Sequence, residues 1–362
     1  MGFLASQILY AQNAKPDPDV IVLVDDEKLV GQFEQSDGTS IKFKSDIVGE
    51  VTIDWSKVKE LRTSKKYAVI PKGAELRRNS DLSTVPQGTI AAADQKVTVT
   101  PATGTPQPVN LANTDHVIEQ TSFENAVHRN PGLFHDWGGT VTIGASLVQA
   151  TQESRNFTGA INLIQTVPDE DWLRRRSRTT LNLSAAYGTL SQPDTPTIKT
   201  QIYLGAVERD EYFSNAVYGF AGAAFAHNFS QGLDLQQTYG GGIGWSVLKQ
   251  SNQTLDLKAG VTYVRQEFAG ATASESLIGS VFEEDYTRGL WHGSKFTEQI
   301  IVLPTWNNTD AISGTGNAAI TIPVYKRMNF SFGVIDNYLN NPPPGFKKNS
   351  FQLIMGLTYA LR

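Results

Sequence analysis

Apolar and polar positions alternate at a period of two over most of this chain, and the pattern is cleanest where the chain ends. In "SFQLIMGLTYALR", Ser350 to Arg362, the residues Phe351, Leu353, Met355, Leu357, Tyr359 and Leu361 fall on one face of an extended strand. Gln352, Gly356 and Thr358 fall on the other. The same texture runs back to Trp137 in twelve successive segments, among them "GTVTIGASLVQA", "NFTGAINLIQTV", "RTTLNLSAAYGTL", "TLDLKAGVTYVRQEF" and "NFSFGVIDNYL". Residues 137–362 give each strand with its turn about 19 residues, above the roughly 9 to 11 that cross a bilayer when tilted. An even count returns both ends to one side, and the short connections "KQSNQ" and "YKRM" fall on that side, as periplasmic turns do.

Alternation alone does not say which row meets water. In "LDLKAGVTYV" the row Leu255, Leu257, Ala259, Val261, Tyr263 opposes Asp256, Lys258, Gly260, Thr262, Val264. A soluble sandwich buries the large row, whereas a membrane barrel turns it to lipid and encloses the polar one. Three features select lipid. Aromatic residues gather at strand ends, at Trp137, Tyr212, Phe213, Trp291, Trp306 and Tyr359, as in an aromatic girdle. Twelve strands with no covering helix need closure to remove their edges. Gly356, Tyr359 and Leu361 fit a terminal signal read by the outer-membrane assembly machinery, although Arg362 rather than an aromatic residue ends the chain. The inward positions then include Asn162, Asn182, Asp256, Lys258, Gln266 and Gln352 among many small residues, a polar and weakly charged lining with little ion selectivity.

Residues 20–120 have a different texture, with short alternating segments broken at turns such as Asp37-Gly38. "GTIAAADQKVTVT" is similar to "GQFEQSDGTSIKF", and "PVNLANTDHVIEQ" to "VTIDWSKVKEL", so two repeats of a small, bent SH3-like or Sm-like sheet are expected. Residues 121–136, broken by Asn130-Pro131-Gly132, read as a linker. Residues 1–19 read either as the end of an export signal or as a disordered tail.

Composition narrows the function classes. A formal charge of -5 gives no reason to expect nucleic acid as a partner. The absence of Cys excludes disulfides and thiolate metal sites. His128 and His135 flank a Pro-Gly, yet the three or four convergent ligands of a zinc site are not indicated. His227 has Ser230 nearby but no orienting third group, so no catalytic residue is assigned and no enzyme is expected. "GTGNAA", Gly314 to Ala319, lacks the following helix a dinucleotide site requires, and no cofactor is expected. "DEDWLRRRSR", Asp169 to Arg178, reads as a solvated charged turn. "NNPPPG", Asn340, Asn341, Pro342, Pro343, Pro344 and Gly345, joins the last two strands as an outer loop. Its prolines stiffen it to fold inward over a pore, to stand as a binding tip, or, as readily, only to limit the entropy of the hairpin.

"FGVIDNYLNNPPPGFKKNSFQLIMGLTYAL", "DEYFSNAVYGFAGAAFAHNFSQGLDLQQTYGGGIGW" and "GEVTIDWSKVKEL" resemble the YdiY-like, salt-induced outer-membrane proteins, domain-of-unknown-function family 481. The resemblance implies an outer-membrane barrel behind a small periplasmic β domain, and brings no substrate or catalytic residue. The chain departs from that family at "QATQESRN", Gln149 to Asn156, where many members carry a Gly-Asn-Thr-Asp-like turn. The expected protein is all-β: a twelve-stranded antiparallel transmembrane barrel, 137–362, preceded by the two-repeat β domain. It is expected to act as a passive or weakly selective channel for small solutes. The alternative is an anchor whose front domain binds peptidoglycan or a periplasmic protein.

Overall fold

The computed structural model describes residues 17–93, 96–149, 153–191, 196–270 and 274–361. Most of the 1–19 stretch, the centre of "QATQESRN" and Arg362 lie outside the described residues. The chain forms two compact units, Met1–Arg129 and Asn130–Arg362.

The first unit contains nine strands: β1 (Asp19–Leu23), β2 (Lys28–Ser36), β3 (Ser40–Ser45), β4 (Gly49–Asp54), β5 (Val58–Pro71), β6 (Gln87–Ala93), β7 (Lys96–Thr100), β8 (Gln107–Val109) and β9 (Thr114–Glu119). They form one antiparallel sheet in the order β4-β3-β2-β1-β5-β6-β7-β8, with β9 pairing both β2 and β5. The segments read as repeats in the sequence each end in a strand, a 3-10 turn and a strand. β4 enters β5 through a single 3-10 turn, Trp55–Lys57, and β8 enters β9 through another, Leu111–Asn113. Asp54 caps the first by accepting from the Ser56 amide, and Asn110 caps the second by accepting from the Ala112 amide. β5 belongs to both repeats. Its register slips between Arg62 and Lys66 along β6, so that its first half pairs with β1 and its second with β9.

The core of this unit is built from the inward rows of these strands, including Ile21, Ile41, Phe43, Leu61, Tyr67 and Ile90. Asp19 is buried among them, and its carboxylate is satisfied by the amides of Phe33 (2.8 Å) and Ser64 (2.7 Å) and the Ser64 hydroxyl (2.9 Å). With the Tyr67 hydroxyl (3.4 Å) it holds four donors and ties β1, β2 and β5 together. Residues 121–136 are not an extended linker throughout. They open in helix α1 (Gln120–His128), whose Phe123, Ala126 and Val127 are buried at the i, i+3, i+4 spacing of one helical face.

The second unit is a closed ring of twelve antiparallel strands. They are β10 (Trp137–Gln149), β11 (Glu153–Val167), β12 (Ser177–Ser191), β13 (Ile198–Tyr212), β14 (Val217–Asn228) and β15 (Leu233–Gln250), then β16 (Gln253–Phe268), β17 (Glu275–Gly289), β18 (Lys295–Leu303), β19 (Ser313–Tyr325), β20 (Met328–Leu339) and β21 (Asn349–Ala360). Closure runs from Thr140 opposite Ala360 to Ile143 opposite Leu357. The large apolar row of each strand faces outward. Leu353, Met355 and Leu357 on β21, Phe332 on β20 and Ile143 on β10 are all exposed, and among the described residues no element of this unit covers them. Leaving such a belt in water carries the penalty of about 25 cal/mol per Å² of apolar area, which a hydrocarbon neighbour removes.

Candidate functional site: the interior of the barrel

Register carries the inward row from strand to strand. Asn162 stands opposite Asn182 on neighbouring inward rows, Asp256, Lys258 and Gln266 share the inward row of β16, and Gln352 lies on that of β21. These six positions are not equivalent. Asp256, Lys258 and Gln266 are buried together with Tyr218, Phe220, Val264, Leu277 and Val281, so side chains fill the lumen along β14 to β17. On the other side Asn162 and Ile164 face inward and remain exposed, so water-sized space lies beside β11 within the ring.

The filled side is strongly charged, contrary to the weakly charged lining expected from the sequence. Arg178 at the start of β12 donates from Nε to Asp210 Oδ2 (2.6 Å), from Nη1 to Asp256 Oδ2 (2.8 Å) and from Nη2 to the Tyr218 hydroxyl (3.3 Å). Because β12 and β16 are four strands apart around the ring, the Arg178–Asp256 pair is a chord across the lumen. A second chord lies beside it: Lys258 Nζ donates to Glu208 Oε1 on β13 (2.6 Å) and Glu283 Oε1 on β17 (2.9 Å), and sits 3.2 Å from Asp285 Oδ2. Gln299 on β18 donates to both Glu283 (3.0 Å) and Asp285 (2.9 Å), which spaces the two carboxylates. Charges taken out of water persist only when paired and hydrogen-bonded in this way.

Glycine makes room for this network. A Cβ on Gly244 would stand 2.2 Å from the Tyr218 ring, so the ring lies flat against bare backbone of β15 while its hydroxyl reaches Asp256 (3.3 Å). The charged turn "DEDWLRRRSR" is therefore only partly a solvated turn. Arg178 is inside the strand and the lumen, Arg175 stacks 5.4 Å above the Tyr212 ring, and Arg174 donates to the Phe213 carbonyl.

At the end of the ring opposite the chain's entry and exit, loops from facing walls interlock. The turn Phe229–Gln231 between β14 and β15 ends on Gly232 in the left-handed region (φ 68), packed against Phe346. This aims Gln231 across the mouth. Its Nε2 donates to the carbonyls of Asn337 (2.9 Å) and Lys348 (2.6 Å), on the opposite wall. The proline loop joins the same layer: Asn340 donates to the Asp310 carbonyl (2.8 Å), and Asn341 donates to Glu275 Oε2 on β17 (2.9 Å). Pro342 and Pro343 are half-buried and Pro344 and Gly345 exposed. Asn340 and Asn341 thus tie the loop to Asp310 and to β17.

Most of the expected girdle residues face outward at strand ends, with Phe213, Trp291, Trp306 and Tyr359 exposed and Trp137 half-exposed. Tyr212 does not. It pairs with Tyr218 on the inward row, the two rings tilted at 36° with centroids 4.9 Å apart, because neighbours in a strand point to opposite faces and Phe213 takes the outer one. Trp245, which the sequence reading missed, is exposed on the outside of β15. Gly314 to Ala319 lie within β19. His227 stacks on Tyr203 on the outer surface (5.7 Å), away from the lumen. Among the described residues no group of three His, Asp or Glu side chains is arranged to hold a metal ion.

A closed ring of twelve strands, apolar outside and polar and ion-paired within, defines a transmembrane β-barrel of the outer-membrane type. The family model "Protein of unknown function, DUF481" matches residues 141–361, and the chain belongs to that family. Among solved structures, the COG4313 outer membrane channel from Pseudomonas putida F1 is similar at 10% identity and a TM-score of 0.37, covering 64% of this chain and 100% of its own. The translocator domain of the autotransporter NalP from Neisseria meningitidis is similar at 11% identity and a TM-score of 0.32, covering 62% and 86%. BamA from Haemophilus ducreyi lacking POTRA domains 1-3 follows at 8% identity and a TM-score of 0.23, covering 91% and 75%. No curated protein matches the chain.

Proposed function

We propose that this protein is a narrow channel for small solutes in the outer membrane, with its N-terminal β unit on the periplasmic side. One observation carries the reading: Asn162 and Ile164 face the inside of the ring and are nonetheless exposed, so the lumen beside β11 is wide enough for water. The polar rows of β11 and β12 then form the wetted wall, and the packed side along β14 to β17 limits the bore. Lipid is the partner of the outer belt, and the terminal strand is the segment offered to the assembly machinery. The test is single-channel recording from the purified chain in planar bilayers, where steady unitary steps are expected.

A second reading rests on Gln231. Its hydrogen bonds to the opposite wall favour a closed mouth and a barrel that serves as an anchor, leaving the N-terminal unit to bind peptidoglycan or a periplasmic protein. Silence from a folded, heat-modifiable barrel decides for the anchor.

A further inference from the structure

The segment that carries the chain into β10 is fastened to the barrel wall by side chains of the first two strands. The His135 amide donates to the Gly132 carbonyl (3.1 Å), which closes a tight turn over residues 132–135. Asp136 then takes the left-handed conformation (φ 60) and swings the chain into β10. Gln165 of β11 holds the turn down, its Nε2 donating to the carbonyls of both Gly132 (3.0 Å) and His135 (2.6 Å). The Trp137 indole donates to the carbonyl between them, that of Leu133 (2.6 Å).

Register fixes the side of the wall on which this happens. Gln165 stands opposite Trp137 and shares its row with Phe157 and Ile161, which are exposed on the outer surface. Gln165 itself is only 2% exposed, because the turn lies over it. The turn therefore rests on the outer face of the barrel, at the end where the chain enters the ring. It presents two apolar side chains, Leu133 at 68% and Phe134 at 93% exposure. With three of its carbonyls held, the turn cannot roll over to hide them.

We propose that the turn 132–135 is a membrane anchor whose Leu133 and Phe134 insert among the acyl chains of phospholipid beside the barrel, with Gln165 as the positioning residue that aims them. The pair is continuous, through Trp137, with the apolar belt already turned to lipid. Two side chains offer far less area than the roughly 800 Å² per partner that a stable protein interface buries. They suit the interfacial layer of a bilayer, into which apolar anchors sink about 5 to 10 Å. The segment 130–136 is on this account a device that sets the level of β10 in the membrane. It needs the barrel to sit in a bilayer and does not need an open lumen, so an absence of ionic current leaves it standing.

The chain has no cysteine of its own, so a spin label can be placed at one chosen position of the full chain. The experiment compares Phe134→Cys, the outer-belt variant Met355→Cys and the lumen variant Asn162→Cys, each labelled, folded into phosphatidylcholine vesicles and checked by heat-modifiable gel mobility. Collision with oxygen, which concentrates in lipid, is measured against collision with a water-soluble nickel chelate. The oxygen-to-nickel ratio at 134 is expected to exceed that at 162 by at least about fivefold and to approach that at 355. Adding Gln165→Ala to Phe134→Cys removes both amide donations and is expected to lower the ratio at least about twofold. Leu133→Cys repeats the measurement where Phe134→Cys does not fold. A ratio at 134 equal to that at 162 puts the tip in water and overturns the anchor. Low collision with both reagents, with dipolar broadening between labels, puts a second copy of the chain there and overturns it equally. A lipid-like ratio unmoved by Gln165→Ala in the folded barrel overturns the positioning role of Gln165.

Discussion

Gln231 and Lys348 belong to opposite walls of the ring, yet the Gln231 amide donates to the Lys348 carbonyl at 2.6 Å. The same Nε2 also reaches the Asn337 carbonyl at 2.9 Å, so one side chain pins the mouth both to β20 and to the loop that leads into β21. Gln231→Ala leaves those two carbonyls without this donor, at a cost of about 1 to 3 kcal/mol. Residues 340–348 are expected to exchange amide hydrogens roughly tenfold faster, or more, in the variant than in wild type. Hydrogen exchange by mass spectrometry on the folded barrel measures this, and unchanged protection refutes the pinning role.

Met355 and Ile354 are neighbours with opposite surroundings, the first exposed on the outer belt and the second on the inward row. Met355→Lys is expected to destabilise the folded barrel in bilayers by about 2 to 4 kcal/mol, as charges on a lipid face do near mid-depth. Ile354→Thr, on the polar side, is expected to cost less. Urea refolding into lipid vesicles compares them. Equal costs for the two changes contradict the assignment of faces.

Gly244 and Tyr218 fit as groove and tongue. Gly244→Ala places a methyl where the Tyr218 ring lies and is expected to lose about 1 to 3 kcal/mol through overpacking. Because the clash is with one ring, Tyr218→Ala with Gly244→Ala is expected to lose less than the sum of the single changes. A double-mutant cycle on urea midpoints gives the coupling, and simple additivity excludes the contact as the cause.

Asp37 closes the β2–β3 turn. Slight burial pushes its carboxyl up, but hydrogen bonds from the Ser40 and Thr39 amides and hydroxyls outweigh this and hold it down to about 2. A carboxyl whose folded value lies below its unfolded one contributes stability that is present above about pH 4, and that is lost as pH falls toward 2. The Thr39 and Ser40 amides are expected to lose protection over that window and not above it. A nuclear magnetic resonance titration of the Asp37 carboxyl follows the same event, and a midpoint at the ordinary carboxylate value contradicts it.

Much of this fold was legible because strand patterns are local. Leu353, Met355 and Leu357 announce their shared face within five residues of sequence. The charged lining was less legible. Glu208 and Asp210, and again Glu283 and Asp285, are spaced by two on the inward row, but each pair lies inside a charged run whose neighbours Arg209 and Glu284 break the alternation of polar and apolar positions. Their cations are remote, with Lys258 50 residues from Glu208 and Arg178 78 from Asp256, and only ring closure brings them together. Helix α1 had a signal in Phe123, Ala126 and Val127, which the Asn130-Pro131-Gly132 break obscured. The Tyr212-Phe213 pair reads as girdle, yet adjacent strand residues cannot share a face and Tyr212 takes the inner one.

The ladder that joins the first barrel strand to the last spans four residue pairs, whereas the neighbouring β10–β11 ladder spans thirteen. A hoop is only as strong as its narrowest weld, and here the weld lies between Thr140–Ile143 and Leu357–Ala360. Mechanical or thermal rupture of the cylinder is therefore expected to start there.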